Sequence, residues 1–97
     1  NYIFSTDLDK HVASTHIFLT DGLPHDHKNL DYYQKYQLTL SRVKKAKENC
    51  LVNPCPPFHR GEEIEDRVID SKHFVGYDFK KNLLRVQQAI ILYCLKH

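Results

Sequence analysis

The stretch that most constrains this chain is Asn49-Cys50-Leu51-Val52-Asn53-Pro54-Cys55-Pro56-Pro57-Phe58-His59-Arg60-Gly61, which sits between two helix-patterned halves. Proline fixes its own φ, lacks the N–H that a helix needs and pushes the residue before it towards extended geometry, so no regular helix crosses this region. It reads as a rigid corner that separates an N-terminal half from a C-terminal half.

Before the corner, Ser5 or Thr6 can cap a first helix over 6–19, with Asp7 and Asp9 near the positive end of its dipole. The run His16-Ile17-Phe18-Leu19 at its end fits an extended segment equally well. Thr20 to His27 holds Gly22, Pro24 and short polar side chains, the chemistry of a loop. Asn29 then caps a second helix over 30–50, whose apolar stripe is Leu30, Tyr33, Tyr36, Leu40, Val43, Ala46 and Cys50. Its last turns carry Arg42, Lys44, Lys45 and Lys47, placed where unpaired carbonyls favour cations.

After the corner, Glu62, Glu63, Glu65 and Asp66 load the start of a third helix over 62–75, which Gly76 closes. Asp78 caps a fourth helix over 79–96, on which Phe79, Leu83, Val86, Ile90 and Tyr93 form a seam of the kind used in helix packing. From Ala89 to Leu95 this helix is apolar all round, so it must be covered on more than one side. The fold class expected is all-α: a single domain over 1–97, a small bundle or open arrangement of about four helices around a Pro/Cys-rich corner. The basic end of the second helix and the acidic head of the third are expected to meet across that corner.

Composition narrows the function classes. A chain of 97 residues with 41% hydrophobic and 27% charged residues suits one globular domain rather than disorder. The net charge of +2 and pI near 8.5 fall short of an electrostatic nucleic-acid footprint. The longest apolar run, Ala89–Leu95, is far shorter than the ~20 residues that span a bilayer. Three cysteines are an odd set for a disulfide scaffold, which favours a reducing, intracellular compartment over secretion. No basic and then apolar segment opens the chain, so a signal or transit peptide is absent or removed.

Five chemistries can be set beside their structural alternatives. His25, His27, Cys50, Cys55 and His59 are zinc-ligand types, but only Cys50 and Cys55 are closely spaced, and loop histidines with buried thiols explain the same residues. Cys50 and Cys55 could instead form a short disulfide. Cys55 with His59 could act as nucleophile and base, although no oxyanion-type turn surrounds them. Arg42, Lys44, Lys45 and Lys47 beside Tyr32, Tyr33 and Tyr36 could meet nucleic acid, but a solvated helix end and core tyrosines account for them. The reading that best absorbs the pattern is an interface on the fourth helix, formed by Phe79, Leu83, Leu84, Val86, Ile90, Ile91, Tyr93 and Leu95.

The sequence therefore predicts a non-catalytic interaction domain, an accessory or structural subunit docking into a larger protein assembly or a homo-oligomer. It implies no enzyme activity, no small-molecule substrate, no cofactor and no metal site. The alternative is a zinc-stabilised helical module that contacts nucleic acid.

Overall fold

The computed structural model describes residues 1–97 and is not all-α. It is an α/β unit built on a parallel sheet. Strand β1 (Ile17–Thr20) pairs in parallel with β2 (Leu51–Pro54), with Phe18 opposite Val52 and Thr20 opposite Pro54. On the other side of β2, the Val52 N–H donates to the His73 carbonyl at 2.8 Å and its carbonyl accepts from the Val75 N–H at 3.0 Å. Residues 73–75 thus extend the sheet by a third, short rung. The outer side of β1 has no neighbour.

The helix expected over 6–19 stops at Val12, as α1 (Leu8–Val12), and its cap is Asp7, whose Oδ1 accepts from the Lys10 N–H. Ser14 and Thr15 end it by donating their hydroxyls to the His11 carbonyl at 3.1 and 2.9 Å. Such side chains offer the backbone an alternative to the next helical turn. The apolar run after them is then free to pair as β1.

The helix expected over 30–50 is two helices, α2 (Leu30–Tyr36) and α3 (Leu40–Lys45), capped by Asn29 and Thr39. Between them Leu38 is extended. Its N–H donates to the Glu63 carbonyl at 2.9 Å, its carbonyl accepts from the Glu65 N–H at 3.1 Å, and its side chain is buried. Long-range pairing and burial of Leu38 outweigh the local helical periodicity, as tertiary context commonly outweighs propensity.

Arg42 locks this break. Its guanidinium is buried and donates to the carbonyls of Gln34, Lys35 and Gln37 at 3.1, 3.0 and 2.6 Å, satisfying the open carboxyl end of α2. It also grips Asp9 of α1 with two bonds of 2.8 and 2.9 Å. One side chain therefore ties α1, α2 and α3 together.

The helix expected over 62–75 shrinks to α4 (Asp66–Ile69), because residues 59–65 form a turn instead. Gly61, at φ +80°, donates to the Ile64 carbonyl at 2.8 Å. Gly76 does not close a third helix; it is buried at the start of α5 (Gly76–Lys96), close against Phe74 and Pro54, and Asp78 lies inside that helix rather than capping it. The acidic head and the lysine cluster do not meet. Lys28 pairs with Glu62 and Arg67 with Glu65, while Lys44, Lys45 and Lys47 pair with no carboxylate.

The core lies on one face of the sheet. Val12, Phe18, Leu38, Val43, Cys50, Val52, Ile64, Val68 and Ile69 form a single buried cluster drawn from α1, α3, α4 and both strands. Ile17 and Leu19, pointing to the opposite face as alternation along a strand requires, are exposed. From Tyr77 onward every residue of α5 is exposed as well. No helix is long and apolar enough to cross a membrane.

Candidate functional site

In a parallel sheet the strand ends point the same way, and the loops leaving their carboxyl ends gather at one edge. Ligands of open α/β sheets bind in the crevice there. Here those loops begin at Asp21, after β1, and at Cys55, after β2. They are held together by Cys55, whose N–H donates to the Thr20 carbonyl at 2.7 Å. A Cβ added to Gly22 would lie 3.5 Å from the Pro57 carbonyl oxygen, so the two loops touch further out as well. The Pro56–Pro57 bond is cis.

The crevice at this edge is an open cleft of about 340 Å³ with walls that are mostly apolar. Leu19 and Pro56 form part of it, and Phe79 and Leu83 close it from the first turns of α5. Its polar groups are few. Cys55 presents an exposed thiol, Lys80 an amine that no carboxylate pairs, and Thr20 a buried hydroxyl with no protein partner. Asp21 stands exposed on the adjoining loop, where one carboxylate oxygen accepts the N–H of Gly22 at 2.9 Å and no cation neutralises it.

Arg60 and His59 follow further along the loop. Arg60 donates to Asp70 at 3.2 Å, which holds the guanidinium protonated. The N–H of His59 donates to the buried carboxylate of Glu63 at 2.9 Å.

Several expected arrangements do not form. Cys50 is buried, where desolvation pushes its thiol pKa up, and Cys55 is exposed; both are free, so no disulfide staples the corner. The buried Cys50 sits instead beside the His73 ring, at 3.5 Å. No three His, Cys, Asp or Glu side chains gather with metal-ligand spacing, so His25, His27, Cys50, Cys55 and His59 do not form the zinc module considered as an alternative. His27 contacts Asp26 and the ring of Tyr32. Of the eight side chains expected on a helical interface, Phe79 and Leu83 line the crevice, and Leu84, Val86, Ile90, Ile91, Tyr93 and Leu95 are exposed along α5.

The sheet and its crevice define an α/β unit of the parallel-sheet class, and comparison with known proteins makes that class specific. The chain belongs to the aspartate/ornithine carbamoyltransferase family, whose Asp/Orn binding domain matches residues 1–94. It is similar to the ornithine carbamoyltransferase of Agrobacterium fabrum, with 35% identity over 94 residues, 92% of this chain and 31% of the relative. It also resembles that of Archaeoglobus fulgidus, at 41% over 63 residues, 65% of this chain and 20% of the relative.

Among solved structures, ornithine carbamoyltransferase from Pyrococcus furiosus superposes with a TM-score of 0.73 at 31% identity, covering 88% of this chain and 29% of that one. The enzyme from Gloeobacter violaceus gives 0.76 at 29% identity, with the same coverages of 88% and 29%. The chain thus spans about a third of the length of the curated relatives it matches.

Two expectations fall with this finding. A non-catalytic accessory or structural subunit is replaced by membership of an enzyme family, and the expected lack of a small-molecule substrate is replaced by a domain described by the amino acids it binds. The signal missed was the crevice itself. Asp21 and Cys55 lie more than thirty residues apart in sequence and become neighbours only through β1 and β2 pairing in parallel.

Proposed function

We propose that this chain is the amino-acid-binding part of an ornithine carbamoyltransferase, and that the crevice at the carboxyl ends of β1 and β2 holds the amino acid that accepts the carbamoyl group. The observation that carries this reading is the match of residues 1–94 to the Asp/Orn binding domain. The lining favours ornithine over aspartate. Leu19, Pro56, Phe79 and Leu83 offer apolar surface for the methylenes of ornithine, and the carboxylate of Asp21, next to the lining residue Thr20, suits an ammonium group. Lys80 provides a cation for the ligand's carboxylate.

Carbamoyl transfer itself belongs, on this reading, to the whole enzyme, since a carbamoyl donor needs a site of its own beside the acceptor. L-Ornithine titrated into the labelled chain should shift amide resonances at Thr20, Asp21 and Cys55, and L-aspartate should shift them less. Asp21→Asn should weaken ornithine binding about tenfold, near 1.4 kcal/mol. Tighter binding of aspartate, or an unchanged Asp21→Asn variant, would remove ornithine from the proposal.

We further propose that Leu84, Val86, Ile90, Ile91, Tyr93 and Leu95 on α5, together with the uncovered Ile17, form the surface against which other parts of the enzyme pack. Their exposure on a chain a third as long as its relatives supports this. Ile91→Glu should leave the melting temperature of the isolated chain nearly unchanged while lowering its self-association in sedimentation velocity. Association that persists in Ile91→Glu together with Leu84→Glu would count against an α5 surface.

A further inference from the structure

A second cleft lies at the other end of β2. It occupies about 280 Å³ between the carboxyl end of α3 and the turn at 71–73, and it is lined by Lys44, Lys47, Glu48, Lys72 and His73. A smaller hollow of about 130 Å³ beside it shares Glu48, Lys72 and His73 and adds Asn49. The strands run from this edge towards the amino-acid crevice, so the two sites share no lining residue.

Three features of this cleft point to an anion. Lys44, Lys47 and Lys72 pair with no carboxylate, and Glu48, the one acid in the lining, pairs with no cation. Three positive charges against one negative leave the lining at +2. The backbone N–H groups of Glu48 and Asn49 have no acceptor in the fold. The third feature is His73, which is only 9% exposed and lines both hollows. Its Nδ1 lies 2.9 Å from the Cys50 carbonyl, which can only accept, so Nδ1 carries the hydrogen. Nε2 is left without a protein partner. With the hydrogen on Nδ1 it is an acceptor at the floor of a cationic cleft, fitted to the O–H of a hydrogen oxyanion.

We propose that this cleft binds a small dianionic oxyanion of the phosphate class, held by Lys44, Lys47 and Lys72 at the rim with the His73 ring at the floor. The charge of the lining matches a dianion. Lysine ammonium groups act as point charges for phosphate oxygens, and the free N–H groups of Glu48 and Asn49 add directional donors. The charged groups around the His73 ring are Lys44 and Lys47 at the end of α3, Glu48 on the following turn and Lys72 beside it, and the bound anion offsets the repulsion among the cations.

Inorganic phosphate titrated into the isotope-labelled chain, against chloride at matched ionic strength, tests this. Saturable one-to-one shifts confined to residues 44–50 and 71–74 are expected. Lys47→Ala combined with Lys72→Ala, both at exposed positions, should weaken phosphate at least tenfold. Lys45→Ala, which removes the same charge from outside the cleft, should leave it unchanged. Equal shifts with chloride, shifts scattered over other lysines, or equal weakening by Lys45→Ala would overturn the proposal.

Discussion

Replacing Arg42 by alanine is expected to cost about 3 kcal/mol of folding stability, a large share of what a domain of this size possesses. The change leaves the carbonyls of Gln34, Lys35 and Gln37 without their donors at the end of α2, and it releases Asp9 and with it α1. Urea unfolding followed by circular dichroism would show the loss as a lower midpoint. A fall of less than about 1 kcal/mol would mean that water replaces the guanidinium at little cost.

Asp9→Asn should cost much less, because Asp9 is more than half exposed and its partner keeps the three carbonyls. The hydrogen bond from Arg42 holds the Asp9 carboxyl below its ordinary value of 3.8. The unfolded chain therefore takes up the proton first as pH falls. The stability this pair adds is fully present above the ordinary value and drains away as pH drops through the lowered one. Unfolding midpoints of the native chain and Asp9→Asn should accordingly converge in strong acid; a gap that widens there would contradict the pairing.

Ile64→Ala is expected to be of similar or greater severity, about 3 to 4 kcal/mol, because the side chain is completely buried and its surroundings are fixed. Ile64 makes short parallel bridges to both Leu38 and Arg60, so it joins the break between α2 and α3 to the loop that leaves β2. Its truncation should therefore loosen residues 55–61 as well as lower the melting temperature. Amide exchange would detect this as faster exchange at Gly61, which donates to the Ile64 carbonyl. If the proposed crevice binds ornithine, its affinity should fall in parallel, and a destabilised variant with unchanged exchange at Gly61 would separate the core from the loop.

The two severe positions differ in how far sequence could reveal them. Ile64 is apolar and comes just after a pair of acids, so its inward place could be suspected. Arg42 reads as one more cation in the basic end of a helix, beside Lys44, Lys45 and Lys47. Only the break at Leu38 turns α2 so that its last carbonyls face that guanidinium. A helical stripe over 30–50 is compatible with one long helix or with two, because periodicity records which side is buried and not whether the axis bends.

The strands escaped for a related reason. β2 is four residues, Leu51–Pro54, inside a segment whose prolines announce a corner. Pro54 is tolerated because it ends the strand, where the next ladder bond to Thr20 is made by the Cys55 N–H. β1 was visible as an ambiguity at His16–Leu19 and nothing more. A four-residue strand offsets the entropy of its ordering only when a partner is present, and the partner lies more than thirty residues away.

What the sequence by itself determined is local: the prohibition on a helix through 54–57, the cap at Asn29, the loop around Gly22 and Pro24, and a long C-terminal helix with more apolar surface than this domain covers. These result from φ restrictions, side chains bonding to nearby backbone, and a repeat sustained over many turns. Tertiary structure alone decided that the corner contains the central strand, that the fold is a parallel sheet rather than a bundle, and that Asp21 and Cys55 lie at one edge with the lysine cleft at the other. Parallel pairing is the physical reason. It joins segments distant in sequence through backbone hydrogen bonds, which carry no residue-specific signature, and its direction places both strand ends, and so the site, on the same side.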